Sequence, residues 1–403
     1  MIFIIAWRNI WRNKSRSGVL IASIITGICA GIILTGIMMG MYGQRQDDAI
    51  RNEVSNFQIH TKEFKTDNDP RFEIQNSESV LNIISEYKEV RALSGRVIAH
   101  GMILTAGSSA GVKINGVVPQ DEANTRGLNA KITEGSYLER DKHNQILVGE
   151  KLAHKMQMKI KSRVVLTFED IHDNVISASF RVCGFFKTTN PSFDETVVYV
   201  SKKNLAELLQ TKNEVHEIAV LLKNKEDAES VISRTKKQFP DLLVEDWREI
   251  APEIGLMIDM GAGISKVVIV LILFALAFGI INTMLMAMLE RTYEIGMMIA
   301  LGMNKAKLFM LVVLETVMLV MAGTPFGVLF SYLAVSFFYK HGIDLGQYSK
   351  GLESFGMSHI IHPQVSLSQY MQILFLVFIT ALISSLFPAR KALKVDPAES
   401  IKK

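Results

Sequence analysis

The sequence predicts an α-helical membrane protein with four transmembrane helices and a large extracytoplasmic α+β domain inserted between helices 1 and 2. Three observations predict it. Four apolar runs, Gly18–Met41, Val267–Leu289, Leu308–Phe338 and Leu367–Phe387, reach the roughly 20 residues that a hydrocarbon core about 30 Å thick demands. A polar block of roughly 220 residues, enough to bury a core of its own, separates the first run from the second. Lys and Arg cluster beside the spans on one side of the membrane.

Composition narrows the class. A net charge of +4 on 403 residues gives no argument for nucleic acid. The two cysteines, Cys29 in the first apolar run and Cys183 in the polar block, form no disulfide framework.

Residues 1–17 place Ile2, Phe3, Ala6, Trp7, Ile10 and Trp11 near one helical face, with Arg8, Arg12, Lys14 and Arg16 around the other. That pattern suits a helix lying in the headgroup layer with its tryptophans at the interface. The apolar run that follows is longer than a signal-peptide core and has no small-residue cleavage site. Residues 18–41 form span 1, where Gly27 and Gly31, and Gly36 and Gly40, lie four apart and allow close helix approach, a hint of a packed or dimeric interface.

Residues 42–263 read as the extracytoplasmic domain and its stem. Ser55–Thr61 alternates like a strand, and Ser77–Tyr87 repeats its apolar residues at helical spacing. Short β-branched runs follow at Arg96–Thr105, Gly111–Val118, Val164–Phe168 and Val175–Phe185, with Asp173-Asn174 as a hairpin turn. Val215–Leu222, Lys225–Phe239 and Asp241–Asp246 read as a βαβ unit, and Ala251–Ile264 as a helical stem. Span 2 occupies residues 264–289 and carries Asn282. A charged, glycine-punctuated loop covers 290–307. Span 3 (308–338) holds Pro325 and Glu315, the latter about 12 Å beyond Lys307 at 1.5 Å per residue. A short extracytoplasmic loop (339–366), span 4 (367–387) and a basic tail (388–403) complete the chain.

Orientation follows from the cations. Arg8, Arg12, Lys14 and Arg16, then Arg291, Lys305 and Lys307, then Arg390, Lys391, Lys394, Lys402 and Lys403 mark one side, against Lys340 and Lys350 on the other. Both termini and the 290–307 loop are expected in the cytoplasm, with the large domain outside.

Chemistry is sparse. No GxxxxGK[ST], HExxH or CxxC occurs. His359 and His362 are three apart, but Pro363 follows and no third ligand is evident, so no metal is expected. The spans hold no Asp and no His, which removes intramembrane protease chemistry, and the chain is expected not to be an enzyme. Glu315 has two readings, a functional carboxylate facing protein or water, or a structural one paired with a cation.

The motifs carry a resemblance. Ala6-Trp-Arg-Asn-Ile-Trp-Arg-Asn-Lys-Ser-Arg16 precedes span 1. Asn282 is followed by Glu290-Arg-Thr-Tyr-Glu-Ile-Gly296 and Ala300-Leu-Gly302. Glu315 lies early in span 3, and Pro388-Ala-Arg-Lys-Ala392 with Asp396-Pro397 follows span 4. Over its whole length the chain resembles the FtsX/MacB-like permeases, the membrane subunits of mechanotransmitting (type VII) ABC systems.

That resemblance implies that residues 290–307 form a coupling helix seated in a groove of a cytoplasmic ATPase. Glu290, Arg291 and Glu294 would make charged rim contacts, Ile295, Met298, Ile299 and Leu301 an apolar face, and Gly296 and Gly302 close approach or a turn. It implies no cofactor bound by this chain. ATP and Mg would be used by a separate ATPase dimer, whose closure moves the outer domain through the stem. Expected partners are that dimer, a second permease copy or paralogue, membrane lipids, acylated lipoproteins and a periplasmic carrier, with no nucleic acid. Unfused architecture and length are similar to the lipoprotein-releasing permeases, so lipoprotein release ranks first. MacB-like export of peptides or small molecules from the periplasmic side ranks second, a regulatory role gating an envelope hydrolase third, and an ATPase-independent membrane receptor is the reading from another class. Glu294-Ile-Gly and Asn282 lean toward the exporter pattern, and Met297-Met298-Ile299 lacks a basic residue often found before Ala-Leu-Gly. Met38, Met39, Tyr42, Met257 and Met260 are candidates for an acyl or ligand cavity, since methionine adapts to varied apolar ligands; helix packing is the plainer use of the same residues.

Overall fold

Lipid offers backbone amides no partner, so an apolar run must close its hydrogen bonds internally, and each of the four runs is helical. The computed structural model describes residues 2–12, 14–139, 142–212 and 214–394. Asp396, Pro397, Lys402 and Lys403 of the tail lie outside the described residues. In chain order the helices are α1 (Ile2–Arg12), α2 (Lys14–Ala49), α3 (Lys62–Asp67), α4 (Ser77–Ser85), α5 (Pro119–Arg126), α6 (Glu150–Lys155), α7 (Pro191–Thr196), α8 (Lys202–Leu209), α9 (Ala228–Gln238), α10 (Trp247–Ile250), α11 (Pro252–Glu290), α12 (Thr292–Ala300), α13 (Lys305–His341), α14 (Ser349–Ser354) and α15 (Leu367–Ala392). Two units result: a helical unit of Met1–Tyr42, Asp259–Asp344 and Ile360–Lys403, and an α/β unit of Gly43–Ile258 and Leu345–His359.

In the helical unit, stretches of α2, α11, α13 and α15 are long and apolar enough to cross a membrane. Their core gathers Ile24, Ile28 and Ile32 of α2, Ile280 and Met284 of α11, Leu311 and Leu319 of α13, and Val377 and Ala381 of α15. The glycines of α2 serve this packing. A Cβ on Gly27 would stand 3.3 Å from Leu276, one on Gly36 2.9 Å from Val365, and one on Gly40 2.3 Å from the His362 carbonyl. Their close approaches are thus made within the chain. On α13, a Cβ on Gly327 would stand 3.0 Å from Ile28, and the helix continues through Pro325.

The apolar face expected on α1 divides in two. Ala6 and Ile10 are buried in the helical core, whereas Phe3, Ile4, Trp7 and Trp11 are exposed. Phe3, Ile4 and Trp7 share a cavity of about 490 Å³ with Met318, Met321 and Ala322 of α13. Met318 is about 20 Å of helix rise from Lys305, so α1 runs beside α13 instead of lying flat across its end.

The α/β unit is built on strands β1 (Phe57–His60), β2 (Val90–Leu104), β3 (Ser109–Val117), β4 (Ile132–Gly135), β5 (Gln145–Gly149), β6 (Arg163–Glu169), β7 (Val175–Phe186), β8 (Val197–Ser201), β9 (Glu217–Leu222) and β10 (Leu243–Asp246). They pair in the order β10-β1-β9-β2-β3-β8-β5-β7-β4, with β6 bridging β2 and β7. β2 is the spine: residues 90–96 pair with β9, and 97–104 pair with β3. One core lies under β1, β9, α4 and α9, and a second under β2, β3 and β5 to β8. The terminal βαβ unit is split, because β9 and β10 both run antiparallel to β1, which lies between them.

Residues 339–366 are more than a connecting loop. Strands β11 (Ile343–Asp344) and β12 (Ile360–Ile361) pair antiparallel in the helical unit, while Leu345–His359, with α14, belongs to the α/β unit. There the buried Arg45 guanidinium binds Glu53 at 2.8 Å and donates to the Phe355 carbonyl at 3.2 Å.

Candidate functional site

The 290–307 segment owes its shape to three local devices. Arg291 leaves the helical backbone region at φ −109°, ψ 15°, and breaks α11 from α12. Gly302 has φ +91°, a left-handed conformation that costs a side chain heavily, and here the Met303 amide donates back to the Met298 carbonyl at 3.0 Å. Asn304 then caps α13 by accepting the Ala306 amide at 3.0 Å.

A chain of charges fixes this segment to its neighbours. Arg12 of α1 donates to both oxygens of Glu294, at 2.6 and 2.5 Å. Arg291 binds the same carboxylate at 3.1 Å and reaches Glu315 of α13 at 3.4 Å. Partial burial alone would raise the Glu294 pKa, but its bonds to Arg12 and Arg291 hold it below the usual glutamate value. Glu315, buried in α13, therefore has a cation beside it, which favours its structural reading.

The expected surface is reordered. Ile295 is 4% exposed and packs into the helical core, with Met298 and Ile299 partly buried against it and Gly296 buried beside it. The outward stripe is Tyr293, Met297 and Leu301, four residues apart, with Leu301 84% exposed. Helical spacing supports either assignment, since both sets repeat every three or four residues; only the packing against the helical core decides which face is inside. Glu290 and Gly302 are exposed at its two ends. Asn282 faces away from the unit on α11.

Of the candidate cavity residues, Met38, Met39, Tyr42 and Met260 fall in the helical unit and Met257 in the α/β unit. A Cβ on Gly261 would stand 2.0 Å from the Tyr42 ring, so this ring fills the space beside α11. Among the described residues no cluster of metal-ligating side chains is present.

Sequence reasoning missed a buried charge network in the α/β unit. Arg96, fully buried, binds Glu122 at 3.0 Å and also Glu217, which Lys113 contacts at 3.3 Å. Arg126 binds Glu122 at 3.3 Å and donates to the Tyr199 hydroxyl at 2.7 Å. Burial would raise both carboxylates, but Lys113 and Arg96 hold Glu217 far below its usual range, and Arg96 and Arg126 lower Glu122. The one available signal was charged residues inside otherwise strand-like runs. The same unit carries a cleft of about 1060 Å³ lined by Lys142, His143, Lys161, Arg163, Arg181 and Glu139, among others. Arg163 and Arg181 stand directly opposite in the β6–β7 register.

Comparison with known proteins supplies the family. The model described as MacB-like periplasmic core domain matches residues 17–238, more than half of the chain, and FtsX-like permease C-terminal matches 252–397. The lipoprotein-releasing system transmembrane protein LolC of Neisseria meningitidis serogroup B is 22% identical, covering 97% of this chain and 96% of that one. The macrolide export ATP-binding/permease protein MacB of Escherichia coli is 25% identical over 56% of this chain and 34% of its own. The crystal structure of the periplasmic region of MacB from Actinobacillus actinomycetemcomitans covers 51% of this chain and 95% of that one, with 16% identity and a TM-score of 0.36. The chain belongs to the FtsX/MacB-like family of ABC transporter permeases, with a MacB-like periplasmic core domain and an FtsX-like C-terminal region.

Proposed function

We propose that this chain is a non-catalytic permease subunit that couples a separate cytoplasmic ATPase to work done outside the membrane, and that this work is lipoprotein release. The observation that carries the coupling reading is the exposed Tyr293–Met297–Leu301 stripe, set between two spans and tied by Glu294 and Arg291 to α1 and α13. An apolar stripe with charged rims suits a groove in a protein partner, and its salt links would pass a push from α12 directly to α1 and α13. The clustering of Lys and Arg beside the spans supports a cytoplasmic α12 and cytoplasmic termini, with the α/β unit outside. α2 and α11 continue as helices beyond their apolar stretches, which suits the transmission of movement. The lipoprotein assignment rests on the name and full-length coverage of LolC. Export in the manner named for MacB is the second reading, supported by Glu294-Ile-Gly in the coupling segment. The cleft with Lys161, Arg163 and Arg181 suits an acidic surface on an extracytoplasmic carrier, since like charges facing across strands are relieved by an anion.

The test is co-purification from native membranes in mild detergent. Wild-type chain should bring an ATP-binding subunit, and Leu301→Glu or Met297→Glu should lose it. Acylated protein should co-purify without nucleotide and be lost when ATP is added. A wild-type preparation with no ATP-binding subunit contradicts the coupling reading. Intact coupling without acylated cargo contradicts lipoprotein release alone.

A further inference from the structure

At the end of α13 opposite α12, the helical unit encloses a cavity of about 450 Å³ between α13 and the start of α15. Tyr332, Tyr339 and Lys340 line it from α13, and Gln364, Ser366 and Tyr370 from the other wall. Hydrogen bonds fix that second wall. The His362 ring donates to the Tyr339 carbonyl at 2.8 Å, and the Gln364 amide donates to the Gly36 carbonyl at 3.1 Å. Ser366 caps α15 by accepting the Gln369 amide at 3.3 Å, so the positive end of that helix's dipole lies on the same wall. Lys340 is about 12 Å of helix rise beyond Tyr332, past the end of the apolar run, whereas Tyr370 stands one turn inside α15. Among the described residues of the lining, Lys340 is the one charged group and no carboxylate opposes it. The Tyr370 hydroxyl is buried and makes no hydrogen bond among the described residues. Ser331, the hydroxyl beside it, gives its own proton to the Val328 carbonyl at 3.0 Å. Buried tyrosine hydroxyls ordinarily have a partner. Tyr332 and Tyr339, each more than half exposed, are accounted for as rings anchored at a membrane interface; Tyr370 is not.

We propose that this cavity holds the headgroup of one phospholipid from the leaflet opposite α12, with its phosphate at Lys340 and an ester carbonyl accepting the Tyr370 hydroxyl. A phosphodiester brings the anion that suits a lone ammonium beside a helix N-terminus. The glycerol esters, one step deeper along the same molecule, bring an acceptor to the level of the first turn of α15. Lipid tails alone offer neither. Free phosphate shares the chemistry at Lys340 but has no ester for Tyr370 and no chain to lie against Val335 and the Tyr332 ring. One ordered headgroup in a built site is distinct from the fluid lipid around the spans. The inference stands whether or not α12 engages a motor.

The experiment titrates the delipidated full chain in mild detergent with phosphatidylglycerol and counts bound lipids by native mass spectrometry. One molecule should bind ahead of the rest. Lys340→Gln should weaken that first site by about tenfold, as expected for a lost charge-assisted contact, and Tyr370→Phe should weaken it several-fold. Lys266→Gln, which removes an exposed cation beside the apolar run of α11, should leave it unchanged. Diacylglycerol with the same chains should bind at least tenfold more weakly, and millimolar inorganic phosphate should not displace the lipid. In lipid-free protein Tyr370→Phe removes an unsatisfied hydroxyl, so it should melt no earlier than the wild type, which separates lost binding from lost folding. Displacement by inorganic phosphate would assign the site to a soluble anion and overturn the proposal. So would equal binding of diacylglycerol, a first site untouched by both Lys340→Gln and Tyr370→Phe, or an equal loss in Lys266→Gln.

Discussion

Replacing Arg96 by Met should expose how the α/β unit depends on its buried charges. The guanidinium is fully buried and holds Glu122 at 3.0 Å together with Glu217. Its removal leaves two buried carboxylates, each with a remaining contact: Glu122 keeps Arg126 at 3.3 Å and the Ser94 hydroxyl at 2.9 Å, and Glu217 keeps Lys113 at 3.3 Å. Breaking a buried pair by removing one member costs about 3–5 kcal/mol, and the surviving contacts put this case at the lower end, about 3 kcal/mol. For a unit of this size that is a fall in Tm of about 6 to 12 °C. The pH dependence carries the sign. In the wild type both carboxylates titrate below their unfolded values, so their stabilisation is complete above the ordinary glutamate range and is lost only as pH falls through the depressed folded values. In Arg96→Met both are pushed upward, and protonation relieves the folded state, so the gap in Tm between variant and wild type should narrow from pH 7.5 to pH 5. Thermal unfolding of the full chain in detergent, followed by fluorescence of Trp247 in a Trp7→Phe/Trp11→Phe background, measures it. A fall of less than 2 °C, or a gap that widens on acidification, refutes the reasoning.

Further outcomes follow from other sites. Burial lowers His60 and His216 to about 4, and His216 is held neutral because its Nδ1 accepts the Ile98 amide while Nε2 donates to the Pro70 carbonyl. Each ring should contribute up to about 3 kcal/mol, present in full above pH 6.5 and lost as pH falls toward 4; His216→Gln should flatten that slope, and an α/β unit equally stable at pH 7 and pH 5 contradicts it. Arg12→Glu should weaken ATPase stimulation in reconstituted membranes, and Arg12→Glu with Glu294→Arg should restore it; no recovery would mean that the pair does not position α12. Gly40→Ala would bring a Cβ to 2.3 Å from the His362 carbonyl, a backbone atom that cannot swing aside. It should destabilise the helical unit by about 1–3 kcal/mol, read as earlier thermal aggregation in detergent, while Gly43→Ala, with open space around it, should be neutral.

The spans were legible because length and hydropathy suffice for them, and the alternation of β6 and β7 made their hairpin readable around Asp173, which has φ +59°. β5 and β4 were not read, being four or five residues long with pairing partners distant in sequence. β8, Val-Val-Tyr-Val-Ser, carried a β-branched signal that reasoning passed over. Residues 345–359 could not be assigned to the α/β unit from sequence, because the link is Arg45 reaching the backbone of Phe355, 310 positions away. At the candidate site the segment itself was legible from its charges and glycines. Its orientation was not: Ile295 and Leu301 are both apolar, and only packing into the helical core sends one inward and leaves the other outside.

The coupling claim is tested most directly by site-specific photo-cross-linking in living cells. A photoreactive residue at Met297 or Leu301 should capture an ATP-binding subunit, whereas one at Ile295, inside the helical core, should capture none. Adducts that lack any ATP-binding subunit, or equal capture from Ile295, would contradict the account.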